Sequence, residues 1–480
     1  MASTLFSGVC YCFVFVAKLI AFRMVMLDVK REDSMKMNRN VVSKIANVAK
    51  WVMGGIAALS IVVSCNAIAG EFTDDESIIN AKGGLHLKYK CNDKIWFALF
   101  GLLRIDDTLF MGSARDKQFD FPSGAGFRAL TLGVTGGVGE DWSYVMSVDV
   151  LGSSVILDDT YITYAGFSPN SSISIGRIPG QFIGYDLSSS LNWMPFLERN
   201  LPSIAFYQRD GIGVMGRMWW ENASVIATIM QPDVGDDIFL TDASQTFGAN
   251  TNRDRLMATA RFVFAPVHTE CDVYHFAASA LWRETASKID GTAINVTRFR
   301  AYPGGRARVV SPGFVWNTAR LVDTGLLQSK NYWLLNLEAA RQWGPLLING
   351  EYFNVYVDRA NALLGAVTFR GWNIQGSYIL TGGRHVYDIK DGNFGIIEGT
   401  SCEFGAIELA ARYDFVNLND QDVFGGNQRN VTVGVNWFPN DNLRFSANYV
   451  RARILPGVAA NRGVDVRWLD ILGFQARVRF

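Results

Sequence analysis

Apolar and polar residues alternate with a period of two along much of the chain, most plainly in its last third. Over residues 407–415, Ile407, Leu409, Ala411, Tyr413 and Phe415 share one face, and Glu408, Ala410, Arg412 and Asp414 share the other. Val431, Val433, Val435 and Trp437 alternate with Thr432, Gly434 and Asn436, and the turn residues Pro439-Asn440-Asp441-Asn442 follow. The next segment sets Leu443, Phe445, Ala447 and Tyr449 against Arg444, Ser446 and Asn448. The last sets Phe474, Ala476, Val478 and Phe480 against Gln475, Arg477 and Arg479. Such a period puts apolar side chains on one face of a strand and polar ones on the other. Short turns between them predict antiparallel hairpins.

The same alternation serves a soluble sandwich, with the apolar face turned inward, or a lipid-embedded barrel, with it turned outward. In lipid, every backbone N–H and C=O must be paired within the protein, so strands survive there only as a closed barrel. Three features select the barrel. The chain carries an export signal, it is long for a single sandwich, and it ends in an alternating segment closed by Phe480. A terminal aromatic of this kind resembles the signal read by the outer-membrane barrel assembly machinery. Aromatic pairs such as Trp219-Trp220, Tyr332-Trp333 and Trp437-Phe438 suit the girdles where a barrel meets the membrane interface.

Residues 1–69 form an N-terminal extension plus a Sec signal peptide. Arg39, Lys44 and Lys50 precede an apolar run over residues 51–63, and Ala67-Ile68-Ala69 gives a small-residue site, so cleavage is expected between Ala69 and Gly70. Met35 or Met37 is read as the true start, with an anchor helix over residues 5–27 as the alternative. Cys65 also fits a lipoprotein-type cleavage site, against which stands the good site a few residues on. Residues 70–94 are polar and irregular, a short periplasmic lead-in. Strand signals begin near Ile95, so residues 95–480 are assigned to one barrel domain. The 411 residues after Ala69 suffice for about 16 strands at about 26 residues per strand and connection. Weak patterning over 232–255 and 284–330 marks long loops, outside the barrel or folded into it.

Composition removes other classes. Mean hydropathy is only +0.11, and runs long enough to span a bilayer as helices occur only near the N-terminus. The segment after Ala69 has 37 basic and 42 acidic residues, a net charge of −5 that offers nothing to nucleic acid. Cys91, Cys271 and Cys402 are the cysteines beyond the cleavage point, and their spacing makes neither a disulfide framework nor a metal site. One bridge between two of them is compatible with an oxidising compartment. No cofactor is expected. The four histidines, His86, His268, His275 and His385, lie in no nucleophile motif, and Gly-x-Ser-x-Gly is absent, so an enzyme is disfavoured.

Several blocks in fixed order resemble the phosphate-selective porin O/P family across nearly the whole mature length. They are Phe127-Arg128 through Asp141-Trp142, DTYITYAG at 159–166, and GRIPG at 176–180 with Ser188-Ser189-Ser190 and Phe196-Leu197-Glu198-Arg199. RFVFAP at 261–266 with His268, YILTG at 378–382, GAIELAARYD at 405–414 and GVNWFP at 434–439 complete them. The resemblance implies a 16-stranded barrel, a homotrimer and a water-filled pore for small anions such as phosphate. It places Arg298 and Arg300 at the start of an arginine ladder, and Arg306 and Arg308 repeat that spacing. It places Arg128, Asp158 or Asp159, and Ser190 at the constriction. Leu187 and Asn192 stand where the family has constriction lysines, and Ala129 where it has a second arginine, so weakened phosphate specificity is expected. Gly383 replaces an acidic residue common in the family. The i, i+2 spacing of Arg298 and Arg300 predicts one strand face, with no acid among residues 292–305. A general or cation-tolerant porin and a surface adhesin are the alternatives. Arg412, beside Glu408 and Asp414, reads as a wall-bracing residue.

Overall fold

The computed structural model describes residues 71–73, 87–92, 95–112, 121–151 except 122, 156–232 except 181 and 207–209, 256–309 except 286, 290–291 and 295, 315–458 except 317 and 401, and 467–479. Sixteen strands form the wall: β1 (Ile95–Met111), β2 (Gly124–Val138), β3 (Trp142–Asp149), β4 (Ile156–Tyr164), β5 (Ser171–Ile178), β6 (Gly211–Trp219), β7 (Ala223–Pro232) and β8 (Met257–His268). They continue as β9 (Asp272–Glu284), β10 (Leu327–Trp343), β11 (Leu346–Arg359), β12 (Val367–Ile379), β13 (Ala406–Asp420), β14 (Val423–Asn440), β15 (Leu443–Pro456) and β16 (Arg467–Arg479). Each pairs antiparallel with its sequence neighbours, and β16 pairs with β1 from Asp470↔Met111 to Arg479↔Leu102, which closes the barrel. A short strand, Leu87–Asn92, continues along the lower part of β1.

Burial decides between sandwich and membrane barrel. On β13, Glu408, Arg412 and Asp414 are buried while Leu409 is 44% exposed, and on β14 Val431, Val433, Val435 and Trp437 are all exposed. Apolar side chains therefore face out and polar ones in, the arrangement a lipid surround demands. Trp219 and Trp437 lie near strand ends, Trp437 exposed; the Tyr332-Trp333 pair does not, since it sits close to the middle of β10, with Trp333 exposed and Tyr332 pointing inward and buried. The signal-peptide residues Ala67 and Ala69, Cys65, most of the lead-in, and Phe480 lie outside the described residues.

One end of the barrel has tight turns, as at 139–141, 220–222, 344–345 and 441–442; Asn440 closes the last by accepting from the N–H groups of Asn442 and Leu443. The opposite end has the long connections, including 179–210 and 285–326. Each end breaks its own rule once. The β13–β14 connection at the long-loop end is two residues, and the β12–β13 connection at the short-turn end runs over 380–405.

The inward face is not polar throughout. Toward the long-loop end, Phe353, Val355, Phe369, Val416, Val450, Ile454, Leu469 and Ile471 point inward and are buried. Residues of the two long connections cover them: Phe206 meets Phe353 at 6.3 Å and Phe299 at 5.7 Å, and Phe299 also meets Phe369 at 5.7 Å and Tyr332 at 5.4 Å. A buried side chain of this size contributes roughly 1.5–3 kcal/mol, so the loops are held as core rather than left in the vestibule. Two short helices, α1 (Gly184–Ser188) and α2 (Leu201–Ala205), shape the first connection. Asn200 caps α2 through Ser203 N–H, and Gly371 on β12 makes room for it, since a Cβ there would sit 2.7 Å from the Pro202 ring.

Candidate functional site

Among the described residues, three segments enter the barrel. Residues 179–210 come from the long-loop end and carry the constriction motif. Glu198 is its hub: Arg128 on β2 donates to its carboxylate at 3.1 Å, Arg306 at 3.3 Å, and the Tyr302 hydroxyl at 2.7 Å. Arg306 also lies over the Tyr302 ring at 4.6 Å. Burial raises the Glu198 carboxyl above the ordinary carboxylate range, opposed by the Arg128 charge. Arg412 braces the same loop, donating to the carbonyls of Glu198 and Arg199 while its Nε lies 2.8 Å from Asp414. Arg199 in turn donates to the Asp186 carbonyl. These contacts fix the loop on the inner wall.

The second segment, within 285–326, also folds inward. Its Pro303 carbonyl accepts from Asn430 at 3.2 Å and its Arg306 carbonyl from Thr108 at 2.9 Å. Here the strand-face expectation fails. Arg298 and Arg300 lie on this inward segment and not on a wall strand; of the two, Arg300 is in an extended pairing, Arg300-Ala301 with Val322-Asp323, and Arg298 is not. Arg298 grips both carboxylate oxygens of Asp323. That acid stands 25 residues away, beyond the local window that contains none. Arg308 begins another two-residue pairing, opposite Trp316, and its side chain lies outside the described residues.

Of the other sequence-predicted positions, Asp158 and Asp159 lie half-buried on β4, and the Asp159 carbonyl accepts from Ser147 at 3.3 Å. Ser190 is exposed just beyond α1, and its hydroxyl oxygen accepts from Asn192 N–H at 3.2 Å. Leu187 is buried in the loop's apolar core. The structure thus unites Arg128 and Arg306 at Glu198 and sets Arg298 and Arg300 apart, beside Asp323.

A basic group went unmarked in the sequence. On three neighbouring strands, Arg444 lies opposite Arg477 and Arg477 opposite Arg104, a cross-strand row of like charges on the inner wall. Arg477 donates to the Asn192 carbonyl at 2.5 Å and Arg444 to the same oxygen at 3.4 Å. Arg444 also donates to Ser446 and to Asn436, each at 2.8 Å, and Arg479 donates to the Asp441 carbonyl and covers the Trp193 ring at 4.1 Å. Among the described residues, every hydrogen-bond acceptor of Arg444, Arg477 and Arg479 is a neutral oxygen. Glu408 stands one residue further off, bonded to Asn436 and to His385 at 3.0 Å. Alternation put these arginines on the polar face of single strands. Their meeting depends on strand register, which one strand's pattern does not carry.

The third segment is the hairpin Arg384–Asp388 with Asn393–Glu398, rising from the short-turn end. Arg261 pairs with Glu338 at 2.7 Å and donates to the carbonyls of Asp391 and Gly392; Arg217 meets Asp391 at 3.1 Å. His275 contacts the Tyr387 hydroxyl at 2.8 Å. At its tip Asn393 donates to the Ser188 carbonyl at 3.1 Å, so segments from opposite mouths meet. Cys271 and Cys402, at this end, are both free thiols.

The family model described as phosphate-selective porin O and P matches residues 97–479. Porin O of Pseudomonas aeruginosa is 27% identical over 463 residues, covering 90% of this chain and 99% of the relative. Among solved structures, the outer membrane protein OmpT of Vibrio cholerae is 12% identical with a TM-score of 0.49, covering 81% of this chain and 98% of that one. An anion-selective porin from Comamonas acidovorans is 11% identical with a TM-score of 0.48, covering 81% and 100%. A closed sixteen-stranded wall with an apolar exterior, and a family match over most of its length, lead to one conclusion: the chain belongs to the phosphate-selective porin O and P family, channels of the bacterial outer membrane.

Proposed function

We propose that this channel passes small anions, phosphate among them, with a weak to moderate preference and without a deep phosphate trap. The observation that carries the reading is the pair Arg444 and Arg477 holding the Asn192 carbonyl, with only neutral oxygens for acceptors among the described residues. Asn192 stands where the resemblance calls for a lysine. The missing loop charge has a counterpart on the wall directly behind it. Charges buried beside a narrow pore are poorly screened and raise its potential for anions. Their forks do not reach past the loop backbone, so they set a field rather than grip a phosphate. Passage of phosphate is therefore electrostatic and shallow.

A specific observation favours a second reading, a general porin with little ion preference. Glu198 takes up Arg128 and Arg306, and Asp323 takes up Arg298, which lowers the free positive charge of the predicted ladder. Reversal potentials in asymmetric KCl across a planar bilayer separate the two. A potential on the anion side, with phosphate blocking chloride current only at millimolar or higher concentration, supports the first reading; a potential near zero supports the second.

The functional unit is proposed to be a homotrimer, exported through the Sec pathway with cleavage after Ala69 and inserted by the assembly machinery acting on Phe480. Mass photometry of the folded protein tests the first point: a monodisperse monomer would exclude the trimer. Deleting Phe480 tests the last, and an unchanged surface yield would count against it.

A further inference from the structure

The outer wall carries a feature that permeation does not require. On β14 and β15, Arg429 and Arg453 lie directly opposite each other in the antiparallel register. Both belong to the outward set, as Arg429 shares its face with exposed Val431, Val433 and Val435. The register extends the row across five strands as Trp372, Phe415, Arg429, Arg453 and Trp468. One row nearer the middle of the wall, Arg451 lies beside Asp470 at 3.0 Å and over the Trp468 ring at 4.8 Å. One row toward the loops, Arg370 is exposed opposite Asn417. Among the described residues, four outward arginines thus face a single carboxylate in these rows, that of Asp470. Below them the face is apolar, with Val433, Tyr449, Leu472 and Leu109 in one row.

Like charges directly opposite one another destabilise a strand pair, and a charge on the lipid face costs least near the membrane interface. Trp372, Trp468 and Tyr449 mark that interface, where amphipathic aromatics settle. The rows lie toward the long-loop end, which in outer-membrane barrels is the external one. Guanidinium forks match phosphate oxygens in paired hydrogen bonds, and Arg429 is steadied over the Phe415 ring at 5.4 Å. We propose that this patch seats a phosphate-bearing lipid headgroup of the external leaflet. The phosphate lies between Arg429 and Arg453, Arg370 and Arg451 flank it, and the acyl chains run down the valine face. Charge complementarity selects this occupant: paired guanidinium forks call for an anion, and the apolar face directly below them calls for acyl chains attached to it.

The test uses the full folded protein and diphosphoryl lipid A as the probe, with bound lipid counted by native mass spectrometry. The wild type should retain the lipid, and R429Q/R453Q should weaken retention about tenfold or more, since the charge-assisted hydrogen bonds from both guanidiniums are lost. R429K/R453K should keep part of it, and R341Q, altering an exterior arginine near the opposite rim, should change nothing. Equal retention by R429Q/R453Q would overturn the proposal. So would equal loss in R341Q, or displacement of the lipid by millimolar inorganic phosphate. Unchanged lipid with altered oligomer mass would assign the patch to contact between copies and overturn it as well. Heat-modifiable migration of every variant verifies folding.

Discussion

Arg477 faces Arg104 across the seam where β16 closes on β1, and Arg444 faces Arg477 from the other side. Cross-strand neighbours of like charge raise the free energy of a sheet. Here they stand on the inner wall, behind the loop residue Asn192, whose carbonyl two of them share. The seam that closes the barrel therefore carries a cross-strand row of arginines on its inner surface.

Replacing Arg444 and Arg477 together with Gln should move the reversal potential toward cations. A unit charge about 10 Å from a permeating ion is worth about 0.4–1.7 kcal/mol across effective dielectrics of about 80 to 20. Losing two should lower the anion-to-cation ratio about fivefold or more, read from bilayers in asymmetric KCl. An unchanged ratio would make them wall residues alone.

Glu198 should govern the pH response. Burial raises its carboxyl, so it takes up a proton at a pH where an exposed glutamate is still ionised. Protonation removes the negative charge that Arg128 and Arg306 share, and anion preference should grow as pH falls toward the ordinary carboxylate range. Glu198→Gln should show the low-pH preference throughout and flatten the profile. A profile that keeps its slope in the variant would place the titrating group elsewhere.

The wall was legible because its physics repeats every two residues. The alternation on β13 to β16 gives the outward valines and aromatics and the inward Arg412, Arg444 and Asn436 directly. The interior was less so, for two reasons. Contacts such as Arg298–Asp323 and Arg444–Arg477 depend on chain reversals and register, which local pattern does not encode. The inward face also turns apolar at Phe353, Phe369 and Ile471, so those strands read as apolar on both faces; only the loops that cover them explain it. The hairpin at 384–398 was missed outright, since its connection leaves from the end where short turns prevail.

Arg298 and Asp323 should behave as a couple. Arg298→Ala leaves the buried Asp323 without its ion pair, and removing one partner of such a pair costs about 3–5 kcal/mol. The single variant should shift selectivity toward cations and loosen the inward segment, raising current noise. Arg298→Ala with Asp323→Ala restores the charge balance and should return the reversal potential close to that of the wild type. If the single variant matches the wild type, this pair lies out of reach of the permeating ions.

The last prediction concerns the hairpin that enters from the short-turn end. Arg261, Arg217 and Gln342 hold its backbone or acidic side chain, and Asn393 joins it to the constriction loop at Ser188. A segment so anchored occupies lumen that ions would otherwise use. Replacing residues 384–398 with a short glycine-containing turn should raise single-channel conductance at unchanged salt, because resistance falls as the narrow path widens. It also leaves Arg261 and Arg217 facing the lumen without their hairpin acceptors, so anion preference should rise together with conductance. Asn393→Ala is the milder probe. It cuts the link to Ser188 while leaving the base bonded, and should add brief conductance steps without altering the mean ion preference. If the shortened variant conducts like the wild type, the hairpin lies beside the ion path, and the constriction belongs to residues 179–210 and 285–326 alone.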